Sequence, residues 1–181
     1  MNTSVSMIGV KAGSDVIGRD KIINYTPRLS QLDCLSNLFK TELSNKETTS
    51  KIIDELNHYS NAKSDIRTLK VKLNEAGFSY MVDEAEELKE NISKFIVKNQ
   101  HYKSAQKIIT FILSDIESTF KSKIKPHLYQ CQNEDHLQLL INDMLFSVIQ
   151  DKLGENVLEI YNRQISGMVY FLTGNCHLEW K

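Results

Sequence analysis

From Leu29 onward, apolar side chains recur every three or four residues, the period of a helix with one buried face. Leu29, Leu32, Leu35, Leu38, Phe39 and Leu43 predict a first helix. Ser44 and Glu47 have the spacing of a capping box, which satisfies orphan amides at a helix start. The next helix carries Ile52, Ile53, Leu56 and Tyr59, and a polar link from Ser60 to Asp65 follows. Leu69, Leu73 and Ala76 predict a short helix stopped by Gly77. Met81, Val82, Ala85, Leu88, Ile92, Phe95 and Ile96 mark a long amphipathic helix, acidic at its start and basic at its end. Ala105, Ile108, Ile109, Ile112, Leu113, Ile116, Phe120 and Ile124 mark another, ended near Pro126. Leu137, Leu140, Ile141, Met144, Leu145, Val148 and Ile149 mark a third, stopped by Gly154. Ile165, Met168, Val169 and Leu172 mark the last, stopped by Gly174. The pattern therefore predicts a mainly α protein, with about seven helices in one body over residues 28–181.

Residues 1–27 read differently. Gly13-Ser14-Asp15 precedes Val16-Ile17, and Gly18-Arg19-Asp20 precedes Ile22-Ile23. Glycine and aspartate suit tight turns, and β-branched residues suit strands. Val10, Gly13, Asp15, Val16, Ile17, Gly18, Asp20, Ile22 and Ile23 thus predict a short strand-and-turn segment. Such strands are too short to stand alone, so they call for the body, a partner or copies of themselves, with a mobile terminal tail as the alternative reading. Pro27 marks the join with the helical body.

Composition narrows the class. Of 181 residues, 41% are apolar and 25% charged, with a net charge of −1, which is the balance of a folded globular chain. Balanced charge disfavours a dominant nucleic-acid or membrane-surface role. Cys34, Cys131 and Cys176 are too few and too widely spaced for a disulfide framework. The opening Met1–Met7 lacks the charged and apolar regions of a secretory signal. No run approaches the ~20 apolar residues of a membrane span. The setting expected is the cytosol.

Candidate chemistry is sparse. Cys176-His177 is a thiol beside a base, but adjacent residues usually point apart, so a structural cysteine is expected. His127, Cys131, His136, Cys176 and His177 could ligate a metal, yet none forms a Cys-x-x-Cys or His-Glu-x-x-His pattern. Gly18 lacks the Lys-Ser or Lys-Thr of a phosphate loop, and no βαβ pattern follows it. Glu84, Glu86, Glu87 and Glu90 read as a solvated helix face. Lys103, Lys107, Lys121, Lys123 and Lys125 leave nucleic-acid contact as an alternative, without an aromatic stacking platform. Trp180, the single tryptophan, is expected to anchor the tail in the chain's own body, with docking into a partner the second reading.

Two segments together carry a resemblance. The opening Ala12-Gly13-Ser14-Asp15-Val16-Ile17-Gly18-Arg19-Asp20-Lys21-Ile22 and the ending Ile165–Trp180 resemble the C-terminal accessory domain of bacterial ABC-three-component conflict (anti-phage) systems. The ending contributes Gly167, Tyr170, Gly174, Asn175, Cys176, His177 and Trp180. Leu56-Asn57-His58-Tyr59, Asn99-Gln100 and Ser104-Ala105-Gln106-Lys107 fit the same family in outline.

The resemblance implies a non-enzymatic module with no cofactor. It implies partners too: an ABC ATPase sensor, a small middle component and an effector, often a nuclease. These 181 residues leave no room for an effector beside the domain, so the expectation is either a free-standing version or an excised piece whose effector lies elsewhere. The expected role is assembly into a homo-oligomer and coupling of an effector to the ATPase, with a nucleic-acid or ligand sensor as the alternative.

Overall fold

The computed structural model describes residues 29–62, 67–131 and 134–181. The strand-and-turn segment expected over residues 1–27 lies outside them. The described residues are helical and contain no strand.

The first helix, α1 (Gln31–Asn45), starts at a capping box formed by Ser30 and Asp33. The Asp33 amide donates to Ser30 Oγ at 3.1 Å, and the Ser30 amide donates to Asp33 Oδ2 at 3.1 Å. The capping box expected at Ser44 and Glu47 is not there. Ser44 lies in the last turn of α1 and donates its hydroxyl to the Thr41 carbonyl at 2.9 Å. The helix runs through Ser44 to Asn45, so these polar residues end α1 rather than start the next helix. It closes on Lys46, whose φ is +56°.

α2 (Asp54–Ser60) buries Leu56 and Tyr59. It has no side-chain cap of its own. Its N-cap amide, on Ile53, instead donates to Oε1 of Gln106 at 2.7 Å, across 53 positions of sequence. α3 (Leu69–Glu75) is capped by Thr68 and reversed by Gly77, with φ +87°. α4 (Val82–Asn99) buries Val82, Ala85, Leu88, Ile92 and Ile96 along one stripe. Glu84, Glu86, Glu87 and Glu90 lie on its exposed face.

α5 (Lys103–Thr119) buries Ile108, Ile109, Ile112, Leu113 and Ile116. It continues as a π segment, Phe120–Ile124, then as a 3-10 segment, Lys125–Gln130. Pro126 sits in the first turn of that 3-10 segment, where its missing amide costs little. α6 (Glu134–Ile141) and α7 (Ser147–Lys152) are two halves of one interrupted helix, joined by a second π segment, Asn142–Phe146. Leu137, Ile141, Leu145 and Ile149, spaced strictly by four, are all buried along it. A regular helix would rotate such a series off its face, and the π turn restores it. α8 (Asn162–Gly174) completes the body. Counting the interrupted helix once gives seven helices among the described residues, the number the pattern predicts.

α8 is the central element. It packs most extensively on α4, and also against α5 and α3. Ile165 and every residue from Gly167 to Thr173 are buried. A helix apolar around its circumference belongs inside a fold. Gly167 allows the close approach: a Cβ there would lie 2.6 Å from Ile92 Cγ1 and 2.9 Å from the Leu88 carbonyl oxygen. One hydrophobic cluster joins all eight α-helical segments.

Candidate functional site

The chain's closing residues fold back onto the body rather than extending from it. Gly174 was expected to stop α8; it is instead the last helical residue. The reversal falls two residues later, at Cys176, whose φ is +63°. The Cys176 amide donates to the Thr173 carbonyl at 3.1 Å and the His177 amide to the Leu172 carbonyl at 2.8 Å. That pair of bonds is the Schellman helix ending, in which the residue at positive φ is usually glycine. The same ending, with its own pair of bonds, closes α1 at Lys46 and α3 at Gly77. Cys176 therefore holds a backbone corner. Its Sγ lies 4.0 Å from the Arg67 and Gly174 carbonyl oxygens.

The corner turns three side chains inward. Asn175 donates from Nδ2 to the Tyr59 carbonyl at 2.9 Å, which ties the tail to α2. His177 is 2% exposed, with its ring 5.0 Å from the rings of both His58 and Tyr59. Trp180 is also 2% exposed, set among Phe78, Phe120 and Tyr170 at centroid distances of 5.6, 5.1 and 6.3 Å. Its indole N–H donates to Thr173 Oγ1 at 2.9 Å, so the buried polar atom is satisfied. Trp180 thus anchors in the chain's own body. Burial pushes the Tyr170 phenol well above its ordinary value, with the Glu84 carboxylate adding to the shift.

A charged network surrounds the anchored tail. Lys72, on α3, is 2% exposed; its ammonium donates to the Thr173 carbonyl at 3.2 Å and pairs with Glu179 at 3.0 Å. Arg67 meets Glu179 at 3.1 Å and Glu75 at 3.6 Å. On the other side of the tail, Tyr59 donates its hydroxyl to Glu117 Oε2 at 3.0 Å, and Lys121 pairs with Glu117. Burial alone would raise the Glu117 carboxyl. The hydrogen bonds from Lys121 and Tyr59, with the charge of Lys121, outweigh it and hold the group below its ordinary value.

Lys72 escapes the sequence reading, and Gln106 enters it only within the string Ser104–Lys107, without a role. Lys72 sits inside a polar-looking stretch, and only its tertiary position buries it. Gln106 is 0% exposed. Besides accepting from the Ile53 amide, it donates to the Lys51 and Gln100 carbonyls at 3.0 and 2.6 Å. Nearby, Ser104 donates its amide and its hydroxyl to Glu42. The segments Leu56–Tyr59 and Ser104–Lys107 thus wire α1, α2 and the closing tail to α5.

The histidines and cysteines divide into two places. His127, Cys131 and His136 line one shallow surface cavity of about 310 Å³. Cys176 and His177 lie in the tail. Among the described residues, no three His, Cys, Asp or Glu side chains are placed to hold a metal ion. The strand-forming candidates Val10 to Ile23 lie outside the described residues.

The described residues form a helical body whose tail is locked by a buried tryptophan. The particular family follows from comparison with known proteins. The model of C-terminal domain 9 of the ABC-three component (ABC-3C) systems matches residues 68–180, well over half of the chain. The chain belongs to that family. The match runs from the residue that caps α3 to Trp180, so it spans the tail and the whole of its cradle from α3 onward. No curated protein and no solved structure shows a significant match. No helix of the described residues is long and apolar enough to cross a membrane.

Proposed function

We propose that the protein is a non-enzymatic assembly and coupling module, linking an effector to the ABC ATPase of its three-component system. The observation that carries this reading is how the closing motif is used. Gly167, Tyr170, Asn175, Cys176, His177 and Trp180 serve helix packing, a backbone corner and a buried anchor. Residues spent in this way build a rigid platform, and a rigid platform is what a coupling domain presents to its partners. Membership of the ABC-3C family supports partners within such a system. In this reading, the strand-forming residues Val10 to Ile23 pair with copies of themselves or with a partner's sheet edge. Repetition of weak strand contacts across a symmetric oligomer raises affinity without new chemistry.

Light scattering on the full chain and on a chain starting at residue 26 tests the assembly arm. A defined oligomer formed only by the full chain is the expected result; equal masses reject it. Co-purification of the full chain with the ABC ATPase and the middle component tests the coupling arm. A full chain that retains neither component rejects it.

A further inference from the structure

Beside the buried Trp180 lies a groove of about 580 Å³, between the end of α3, the 3-10 segment and the tail. Its floor is apolar: Phe78, Leu128 and Trp180 line it, exposed by only 5, 6 and 2%. Its rim carries Tyr129, which is 82% exposed, the most exposed large apolar side chain among the described residues. An aromatic ring left in water beside an apolar trough is the kind of surface that binds another chain.

Charge selects the occupant. Lys121, Lys125 and Lys181 line the groove, and Glu75 is the single acidic lining residue among those described. Glu75 is also engaged by Arg67 and Lys121 by Glu117, which leaves Lys125 and Lys181 as the cations facing the trough. A cationic groove on a chain of net charge −1 is a local departure. The protein's own residues 1–28 do not complement it. They contain Lys11, Arg19, Lys21 and Arg28 against Asp15 and Asp20, and so are basic themselves. A second groove, beneath α1, is larger at about 830 Å³. Its lining carries Lys103 and Lys107 against Glu55 and Asp115, the last engaged by Lys152, and none of its lining residues is a large apolar side chain exposed to water.

We propose that the groove beside Trp180 binds an acidic, amphipathic peptide segment of a protein partner. One large apolar side chain would enter the trough against Tyr129, and flanking carboxylates would meet Lys125 and Lys181. The apolar floor favours a side chain over a phosphate backbone. Complementary charge orients such a segment and speeds its encounter, and the aromatic contact holds it. This inference rests on the coupling reading, because it places one partner contact on the anchored tail.

Fluorescence anisotropy with the full chain tests it. The probe is a short fluorescein-labelled peptide in which Asp and Glu flank Leu and Trp; its control replaces the acids by Asn and Gln. The acidic peptide is expected to bind at least about tenfold tighter than the control at physiological ionic strength. Tyr129→Ala and Lys125→Glu are each expected to weaken it by about tenfold or more, with unchanged thermal melting. Leu139→Ala, at another exposed apolar site, is expected to leave it unchanged.

Absence of binding, equal binding of the control, or indifference to both groove substitutions overturns the proposal. So does a single-stranded RNA that binds in the peptide's place and is lost in Lys125→Glu. Co-purification with the ABC ATPase and the middle component separates the two readings. If it survives both groove substitutions, the groove is wrong and coupling stands. If the wild-type chain retains neither component yet binds the peptide, the groove stands and coupling fails.

Discussion

The two ends of the described body are held by different forces. At the closing end, Ile165 and Gly167 to Thr173 of α8 are buried, and apolar packing against α4 and around Trp180 dominates, with the Lys72–Glu179 pair and the Asn175–Tyr59 bond added. At the opening end, α1 buries Leu32, Leu35 and Phe39 but leaves Leu29, Leu38 and Leu43 exposed by 45–60%. Polar ties help to hold it in place: Glu42 to Ser104, and Lys40 to Glu155. A large groove remains beneath it. The family match starts at residue 68 and so takes in the closing end and leaves α1 and α2 outside. The body thus has a packed centre, and an outer layer of α1 and α2 that joins the same core through Leu32, Leu35, Phe39, Leu56 and Tyr59 and is further tied by hydrogen bonds.

Substitutions break or sharpen this contrast. Trp180→Ala is expected to have the largest effect, a loss of about 3–5 kcal/mol, because it empties an enclosed aromatic site. Chemical denaturation of the full chain measures it, and a loss below about 1 kcal/mol would mean that the tail is not an anchor. Gly167→Ala comes next. Its methyl group meets Ile92 and the Leu88 carbonyl, and the strain of an overfilled contact is about 1–3 kcal/mol.

On the α1 side, Gln106→Leu is expected to cost about 1–3 kcal/mol by stripping partners from the Ile53 amide and the Lys51 and Gln100 carbonyls. Hydrogen exchange should show the loosening confined to α1, α2 and the loop between them, with α4 and α8 still protected. Cys176→Gly is expected to leave stability within about 1 kcal/mol of wild type, since glycine accepts positive φ at the expense of greater freedom in the unfolded chain. A variant that melts normally yet loses its biological activity would return the thiol to consideration as a working group. Leu38→Gln, on the exposed face of α1, is expected to shift stability by at most about 0.5 kcal/mol.

Much of the architecture was legible before any coordinates. Apolar spacing located every helix, because burying one stripe of a helix imposes a period that survives in the sequence. Gly77 announced its turn, since glycine alone takes positive φ without penalty. Other signals misled for a physical reason. Ser44 and Glu47 match a capping box by spacing, but spacing does not report whether the preceding helix has ended. Lys46 and Cys176 take the left-handed conformation without being glycines, so their residue types gave no warning. The two π segments were invisible as well, because one extra residue per turn leaves the residue types unchanged.

What the sequence by itself determined was the helical class, the seven helices and the closing motif that carries the family likeness. These follow from local rules: periodicity, propensity and recurring residue strings. What only the tertiary structure decided was the use of those residues. Lys72 became a buried cation because Glu179 and the Thr173 carbonyl, about a hundred positions away, converge on it. Gln106 became a three-way tie because the loop before α2 passes within reach of it. The cationic groove formed because α3, the 3-10 segment and the tail meet beside Trp180. Each depends on contacts between distant parts of the chain, and a linear pattern holds no record of which distant residues will meet.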